Sequence, residues 1–577
     1  MDLRRDGPRQ ILRAALGTAG VLGVVRRSRR GLRNLIRYFR HPEVRRRRRA
    51  DRQRFEQFKE HYGNALEGSL ATANDAEKTV LFVSRIFRHM ELQLVLLNAL
   101  ALAGYRPVVL IVSPPGRLRD CYRWAGVATV RDWSRYVEGL DFSAAAEAAV
   151  AKCASVDELL GFEHAGSRCG KNAASTALRQ LRTGTLDLHS PRARQVLVSQ
   201  LASAMASATA AATILRQFRP DLMLCFDAEY TPGVELFDNC MEHGVDVVTY
   251  REGHKNDTLI LKRYSRRNRD QNPVSLSDES WETVRTMPWS EARGTALRKE
   301  LHDDYASGNW YGVAGTQFNT RIEDAGAVRS RLGIPPDRKT AFIFPHIPWD
   351  AAFRWGRDLF GNYEEWLIAT VRAACLNDKV NWVIKIHPAN IGKLLKGKYQ
   401  EPAETVALRE RLGELPPHVC LILPDSDIST YSLFPLMDYC VTVRGTIGIE
   451  AATLGIPVIT AGTGRYEGRG FTFDPATREE YLDRIARIQE IAPLSPAARE
   501  LAERYAYGIF MLRPFPVRAI SLEFSDHSGA EAGFTKARIN IAEKDGWRHA
   551  SDLQALARWI NDSRNPDFLV DGGQASA

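Results

Sequence analysis

Lys385, His387 and Pro388 have the types and spacing to hold a phosphate group at the end of a strand. Lys385 stands inside the apolar run Val383–Ile386, which predicts a buried strand, and the His-Pro pair follows it directly. Because proline has no N–H to donate to a sheet, this pair ends the strand and leaves the imidazole at its carboxyl end. Lys385 alternates with the isoleucines beside it, so it points away from their face and either reaches the rim or faces solvent.

A second phosphate-facing group is predicted at the start of a helix. Tyr439–Val443 predicts a buried strand, and the turn RGTIG at 444–448 leads into a helix that we expect to begin near Ile449. The first N–H groups of a helix have no partner inside it, so they favour an anion. A strand resumes at Val458–Thr460, as in the crossover unit of a parallel sheet.

These segments are expected to meet on one edge of that sheet. In open parallel sheets, ligands collect at the carboxyl ends of the strands. We therefore expect His387, the turn at 444–448 and the loop Gly462–Gly470 to lie on the same rim.

At these residues the chain resembles the capsule polysaccharide biosynthesis proteins, which are similar to bacterial Kdo transferases of GT-B type. The resemblance covers residues 340–486 well and the amino-terminal half only loosely. It implies an α/β fold of two Rossmann-like domains that face each other across a cleft, with the second domain holding a nucleotide sugar. It rests on FPHIPWDAAF (344–353), IKIHPAN (384–390), STYSLFPLMDYCVTVRGTIGIEAATLGIPVITAG (429–462) and GRGFTFDPATREEYL (468–482).

The resemblance also implies roles for single residues. His387 would contact the donor phosphate, Thr446 and Gly448 would supply phosphate-facing groups, and Glu450 would hold the ribose. Glu450 could instead complement the helix dipole. The chain departs from the family pattern at Arg444, where a turn rich in Ser or Thr and Lys is expected, so a guanidinium would meet the anion there.

A transferase also needs a group that takes the proton of the acceptor hydroxyl. Carboxylates and an imidazole follow two predicted strands of the first half, although acidic residues at such places also cap helices. The candidates are Asp227, Glu229, Glu252 and His254.

Two further segments are expected at the cleft. Trp349-Asp350 could face it, or could be an aromatic wedge and a helix cap. The loop Ser84–His89, which contains Arg88, lacks the glycine fingerprint of a dinucleotide site, and in a GT-B enzyme it would face the acceptor.

Length and composition agree with a multidomain enzyme. The 577 residues are 44% hydrophobic and 26% charged, and the 8 cysteines show neither a CxxC pair nor zinc spacing. Small buried cysteines of this kind are typical of a reducing compartment, and we expect the cytoplasm. The predicted organisation is a basic arm at 1–50, an acceptor domain at 51–300, and a nucleotide-sugar domain with carboxyl-terminal helices at 301–577.

Arginines crowd the first fifty residues, which helps to give the chain its net charge of +10. The apolar patch between them is too short and too broken by glycines to span a bilayer, which needs about 20 apolar residues. The arm therefore either binds the anionic inner face of a membrane or is a solvated tail, and we favour the membrane. Nothing in it resembles a nucleic-acid-binding fold.

The sequence thus predicts transfer of a sugar from a nucleotide-sugar donor to a growing capsular glycan or a glycolipid. No Asp-x-Asp pair stands in a suitable loop, so we expect neither a metal nor another cofactor, and fixed donors would offset the charge of the leaving group. Three alternatives stay open: a nucleotide-sugar 2-epimerase, a polyol-phosphate transferase, and a non-catalytic factor for capsule assembly or export.

Overall fold

The fold is described here from a computed structural model of the chain. It describes residues 42–85, 90–112, 118–226, 228–308, 310, 320–391, 400–524, 535–562 and 565–570.

Two sheets and one hairpin hold the strands of the described residues. Most strands are short apolar runs whose side chains are buried on both faces, as expected for parallel sheets covered by helices. The strands are β1 (Lys78–Ser84), β2 (Tyr105–Ile111), β3 (Thr129–Asp132), β4 (Leu222–Cys225), β5 (Asp246–Glu252), β6 (Thr258–Tyr264), β7 (Thr340–Phe344), β8 (Asn381–Lys385), β9 (Val419–Ile422), β10 (Tyr439–Thr442), β11 (Val458–Thr460), β12 (Phe515–Pro516), β13 (Ile520–Phe524) and β14 (Thr535–Ile539).

Helices cover both sheets. They are α1 (Pro42–Leu66), α2 (Met90–Leu102), α3 (Leu118–Trp124), α4 (Ser134–Val137), α5 (Ser143–Ala151), α6 (Val156–Leu160), α7 (Cys169–Leu181), α8 (Pro191–Phe218), α9 (Gly233–Glu242), α10 (Asp278–Thr286), α11 (Glu291–Ala306), α12 (Ala325–Arg331), α13 (Tyr363–Cys375), α14 (Ala403–Leu412), α15 (Thr446–Thr453), α16 (Arg478–Ala486), α17 (Pro496–Tyr507), α18 (Gly546–His549) and α19 (Ser551–Asn561).

The two sheets share one topology. The first has the order β12-β6-β5-β4-β1-β2-β3, in which β1 to β5 are parallel and β6 and β12 add an antiparallel edge. The second has the order β11-β10-β7-β8-β9 and is parallel throughout. In each sheet the strand order reverses beside the central first strand, at β1/β4 and at β7/β10, which is where doubly wound folds bind ligands. The chain therefore has two Rossmann-like domains, as the sequence predicts.

The domains meet through the loop that follows β7. Trp349 is 6% exposed and packs with Ile347 and Ala352 against Leu178 of α7 in the first domain. The neighbouring Asp350 accepts a hydrogen bond of 2.8 Å from the hydroxyl of Tyr230, which follows β4. This seam fixes how the carboxyl-terminal edges of the two sheets face each other.

The carboxyl-terminal segment returns to the first domain. After α17, a π-helical turn at Gly508–Leu512 leads to β12, which pairs with β6, and α19 packs on α2. The indole N–H of Trp547 donates to the carbonyl of Ala65 at 2.7 Å. The predicted second domain, 301–577, therefore needs correction: its sheet ends with β11, whereas β12 and α19 extend the first domain, on which they pack.

The structure describes only the end of the basic arm that we expect to bind a membrane. Residues 1–41 of the predicted arm lie outside the described residues, and α1 begins within the basic stretch. In the part of the chain described, α8 is long and apolar enough to cross a membrane by length and composition. It packs against α5, α7 and α9, so its apolar side chains contribute to the core of the first domain.

Candidate functional site

A cavity of about 270 Å³ lies at the switch point of the second sheet, beyond the carboxyl ends of β7, β8 and β10. Its volume is near the lower end of small-molecule sites, which enclose about 300–1,000 Å³. The strand ends supply its floor, and α11 with Trp310 supplies an aromatic wall. The lining residues are Tyr305, Trp310, Phe344, Pro345, His346, Lys385, His387, Pro388, Thr430, Thr442, Gly445, Thr446, Ile447, Glu450 and Arg465.

Lys385 reaches this cavity from the last position of β8. Its side chain is 4% exposed, so it does not face bulk solvent, which was one of the two interpretations of the sequence. Its ammonium forms no ion pair or hydrogen bond with any other described residue. Burial lowers the pKa of Lys385 to about 8, so the group is mostly charged at pH 7. A buried cation without a counter-ion favours an anion in the cavity.

Two imidazoles stand beside it in defined tautomers. Nδ1 of His387 accepts the backbone N–H of Ala389 at 3.2 Å, so its proton is on Nε2. Nε2 of His346 accepts the backbone N–H of Arg444 at 3.2 Å, and its ring stacks on Tyr363 with centroids 4.9 Å apart. Burial, with the nearby charge of Arg444, holds the pKa of His346 well below its usual range. His346 is therefore neutral, and its Nδ1 carries a proton.

The start of α15 forms another side of the cavity. This helix begins at Thr446, three residues earlier than Ile449, with Gly445 as its cap. The guanidinium of Arg465, in the predicted rim loop, donates to the hydroxyl of Thr446 at 2.6 Å and to the carbonyl of Arg444 at 3.2 Å. Its Nε is buried without a hydrogen-bond partner. Helix N–H groups and this guanidinium therefore point at the same space.

Glu450 is the carboxylate of the described cavity lining, one turn into α15. The hydroxyl of Tyr305 donates to it, and Trp310 adds a second hydrogen bond. Burial raises the pKa of Glu450 to about 7, against these two hydrogen bonds and the charge of Arg465. Near neutral pH the cavity is therefore net positive, because Lys385 and Arg465 face one partly ionised carboxylate.

Arg444 and Gly448 do not line the cavity. The guanidinium of Arg444 is 3% exposed, pairs with Asp358 and donates to the carbonyl of Trp355 at 2.6 Å. A Cβ on Gly448 would lie 2.3 Å from the hydroxyl of Tyr466, so this glycine permits a close helix contact. Of the predicted donor-binding residues, Arg444 and Gly448 therefore lie outside the cavity lining, whereas Thr446 belongs to it together with Arg465, which was not predicted.

The predicted acid–base residues of the first domain stand apart from the cavity. Glu229 follows β4 and lines two small pockets at the domain seam. His254 is 1% exposed, its ring contacts Trp310 at 5.2 Å between centroids, and it is not part of the described cavity lining. Burial lowers the pKa of His254. Asp227 lies outside the described residues, as does Arg88.

His254 lies among carboxylates. Its Nε2 is 3.6 Å from Oε1 of Glu300 and 3.5 Å from Oδ2 of Asp304, and these three atoms lie within 4.8 Å of one another. The ammonium of Lys255 already contacts Glu300. This geometry is that of an ion-pair cluster which ties α11 to the loop after β5.

The two predicted cleft residues take part in the domain seam. Trp349 packs there, and Asp350 lies 3.6 Å from the guanidinium of Arg179 in addition to its bond from Tyr230. Arg179 also stacks on the ring of Tyr230 at 4.0 Å. These contacts hold the domains together.

The cavity residues that the sequence does not predict include His346, Arg465, Tyr305 and Trp310. His346 carried a usable signal, because it follows an apolar strand within the motif at 344–353, as His387 follows β8. Arg465 stands in a loop that was predicted for the rim, but the loop contains several charged residues. The two aromatic residues come from the linker between the domains, and no local pattern predicts which sheet they meet.

No protein-family model matches the chain, and no curated protein matches it. Among solved structures, it is similar to the β-Kdo 2,4-transferase KpsC of Thermosulfurimonas dismutans, with 13% identity, a TM-score of 0.32, and coverage of 52% of this chain and 82% of that one. It is also similar to UDP-GlcNAc 2-epimerase from Neisseria meningitidis bound to UDP-GlcNAc (12%, 0.26, 75% and 97%). A third is HepE of Anabaena in complex with UDP and glucose (12%, 0.26, 75% and 94%). At such identities the likeness concerns the fold alone.

Proposed function

We propose that this protein is a glycosyltransferase that moves a sugar from a nucleotide-sugar donor to a growing surface polysaccharide or a glycolipid. The observation that carries the proposal is the cavity at the switch point of the second sheet. There an ammonium without a counter-ion, a guanidinium and the start of α15 converge on one space, with Lys385 and Arg465 as the cations. Phosphate oxygens are the ligand that such a set of donors fits best.

The same groups suit the departure of a nucleotide. As the bond between the anomeric carbon and the phosphate breaks, negative charge grows on the phosphate oxygens. Lys385, Arg465 and the N–H groups near Thr446 are already oriented and would stabilise that charge without reorganising. The protonated Nε2 of His387 is a further donor at the same edge. The transfer proposed here uses these fixed donors in place of a metal ion.

A direct assay tests this proposal. Purified protein is incubated with radiolabelled CMP-, UDP- and GDP-sugars, with and without EDTA, in the presence of a membrane or glycan extract. A transferase releases the nucleotide as label enters the glycan, and the release continues in EDTA. Conversion of the donor to an isomer without release of nucleotide would show an epimerase instead. No turnover of any donor would contradict the proposal.

The residues of the cavity give little support to the alternative that the protein is a nucleotide-sugar 2-epimerase. Removing a proton from a sugar carbon needs a base close to the sugar, and the carboxylate of the described lining, Glu450, is held by Tyr305 and Trp310. A polyol-phosphate transferase would use the same phosphate-binding groups, so the labelled assay, extended to CDP-activated polyols, separates it.

Attachment to the inner face of the membrane is part of the proposal. The first fifty residues are rich in arginine, and each cation near an anionic surface contributes about 1 kcal/mol of attraction. The full chain should sediment with vesicles containing anionic lipid at low salt and be released by salt. A chain that lacks residues 1–41 should stay in solution, and equal sedimentation of both chains would exclude the arm as the anchor.

A further inference from the structure

Arg354 is a buried cation that the donor cavity does not use. It is 6% exposed, and its Nε and Nη2 are buried without hydrogen-bond partners. Within the described ranges its side chain has no ion pair, and its guanidinium lies over the rings of Phe237 and Trp355, at 4.8 and 4.7 Å from their centroids. Stacking on rings offsets part of the charge but leaves the N–H donors unsatisfied.

Other donors without partners surround the same space. Arg354 lines a small pocket in the domain seam together with Lys171 and Ser175 of α7. Ser175 is 3% exposed, and its hydroxyl has no hydrogen-bond partner. Lys171 is half-buried and forms no ion pair with any residue that the structure describes. Three donors from two domains therefore face one pocket.

Charge balance around this pocket favours an added anion. Two other guanidiniums line it, Arg168 and Arg269, and they are paired with Asp270 and Asp238. The remaining charged groups in the lining are Arg354, Lys171 and the carboxylate of Glu229. One bound oxyanion would bring this set to neutrality.

The backbone that presents Arg354 is strained. Two residues of the turn just before it, Ala351 and Phe353, have φ of 49° and 63°. Side chains other than glycine rarely adopt this region, and a bulky residue there is a clear outlier. Strain of this kind is retained where the surrounding structure and function require a particular placement.

We propose that Arg354, Lys171 and Ser175 form an oxyanion subsite that receives a carboxylate or phosphate group of the acceptor. This inference rests on the proposed transferase function, because it concerns the second substrate of that reaction. The pocket has a volume of about 10 Å³, room for one water-sized group. One oxygen of the acid group would therefore enter it, while the rest of the acid group and the sugar ring would stay outside, beside Glu229. Arg354 contacts the ring of Trp355, whose carbonyl accepts a hydrogen bond from Arg444. The backbone N–H of Arg444 donates to His346 at the donor cavity, so the two sites are neighbours.

The test compares acidic sugars with a neutral one by calorimetry. D-glucuronate represents a carboxylate acceptor, D-glucose 6-phosphate a phosphate acceptor, and D-glucose the neutral reference. The wild-type chain should bind at least one acidic sugar ten times or more tighter than glucose. Arg354→Gln should reduce that preference to less than twofold, and Lys171→Gln should reduce it by threefold or more. The control Arg357→Gln removes an exposed guanidinium three residues away and should keep the preference.

Separate variants distinguish this inference from the donor assignment. Lys385→Met should weaken binding of UMP and leave the preference for glucuronate unchanged. Arg354→Gln should remove the preference for glucuronate and leave binding of UMP unchanged. A structural role for Arg354 predicts a lower melting temperature for Arg354→Gln with the preference intact, and that result overturns the proposal. A wild-type chain that binds the acidic sugars no tighter than glucose, because the pocket holds water, overturns it as well.

Discussion

Lys385 shows how one side chain can define a site. Moving its ammonium out of water without a counter-ion lowers its pKa from 10.5 to about 8, which corresponds to on the order of 3 kcal/mol at neutral pH. A core residue selected for stability alone would not carry that cost. An anion in the cavity would offset much of this cost. The same buried ammonium would therefore lower the stability of the free protein and raise its affinity for a nucleotide.

Replacing this lysine should therefore separate binding from stability. Lys385→Met keeps the length of the side chain and removes the charge, so we expect UMP, CMP and UDP to bind at least tenfold more weakly. The free energy of unfolding should stay equal or rise by about 1–3 kcal/mol. Calorimetry and urea denaturation measure the two effects. Lys379→Met, which removes an exposed lysine of the same domain, should change neither.

The affinity for a nucleotide should depend on pH through the same group. Lys385 is charged below its pKa of about 8 and neutral above it, so phosphate binding should weaken by roughly tenfold between pH 7 and pH 9. Glu450, with a pKa of about 7, becomes negative over the lower part of this range and acts in the same direction. In Lys385→Met the affinity should be nearly constant above pH 8. A wild-type affinity that does not change over this range would argue against Lys385 as a ligand.

Residues at strand ends could be predicted from sequence, and residues brought in by tertiary contacts could not. Lys385, His387 and Thr446 stand where an apolar run stops, so the rule for parallel sheets locates them. Arg444 was misjudged because the sequence does not reveal Asp358, its partner 86 positions away. Glu450 is predicted from its own segment, but the two hydrogen bonds that it accepts come from Tyr305 and Trp310, far away in the chain.

At the scale of elements, the position of α15 depends on a contact that only glycine allows. Gly448 packs on Tyr466, whose hydroxyl donates to the carbonyl of Gly445 at 2.8 Å and so holds the turn at the helix start. This contact sets where the first N–H groups of the helix point.

Gly448→Ala should therefore affect both stability and binding. The added Cβ would displace Tyr466, and we expect a loss of about 1–3 kcal/mol in the free energy of unfolding with weaker nucleotide binding. Gly63→Ala, in α1, meets no atom within 4 Å and should be neutral or stabilising by up to about 1 kcal/mol. If both substitutions behave alike in urea denaturation, packing of Gly448 does not fix the helix.

Elements with a strong hydrophobic period were predicted well. The strand at 458–460 has the predicted bounds, and β10 ends one residue earlier than predicted. The start of α15 was predicted too late because Thr446 and Ile447 are poor helix formers, and the packing of this helix on α17 overrides propensity. The helix α7 was not predicted, since its polar amino-terminal half hides its apolar face.

At the scale of the molecule, the return of the carboxyl-terminal segment could not be predicted from local pattern. It is secured by Asp567, whose side chain is fully buried between Lys262 at 2.9 Å and Arg513 at 3.3 Å. Against the cost of burial, these two cations lower the pKa of Asp567 to about 2. Only the folded chain brings positions 262 and 567 together, and the domain boundary at 301–577 was drawn without them.

Removing this carboxylate should loosen the first domain. Asp567→Ala leaves two buried cations without a counter-ion, and we expect a loss of about 3–5 kcal/mol in the free energy of unfolding. Asp545→Ala removes an exposed carboxylate of the same segment and should change it by less than about 0.5 kcal/mol. Urea denaturation of both variants measures the difference, and similar values for the two would show that the segment is only loosely attached.

The most direct test of the donor cavity is a crystal structure of the protein with a bound nucleotide, CMP or UMP, at saturating concentration. Phosphate oxygens should lie within hydrogen-bond distance of Nζ of Lys385 and of the backbone N–H groups at the start of α15. The phosphorus should lie between these groups and Arg465. A nucleotide bound elsewhere on the molecule, with the ammonium of Lys385 untouched, would contradict it.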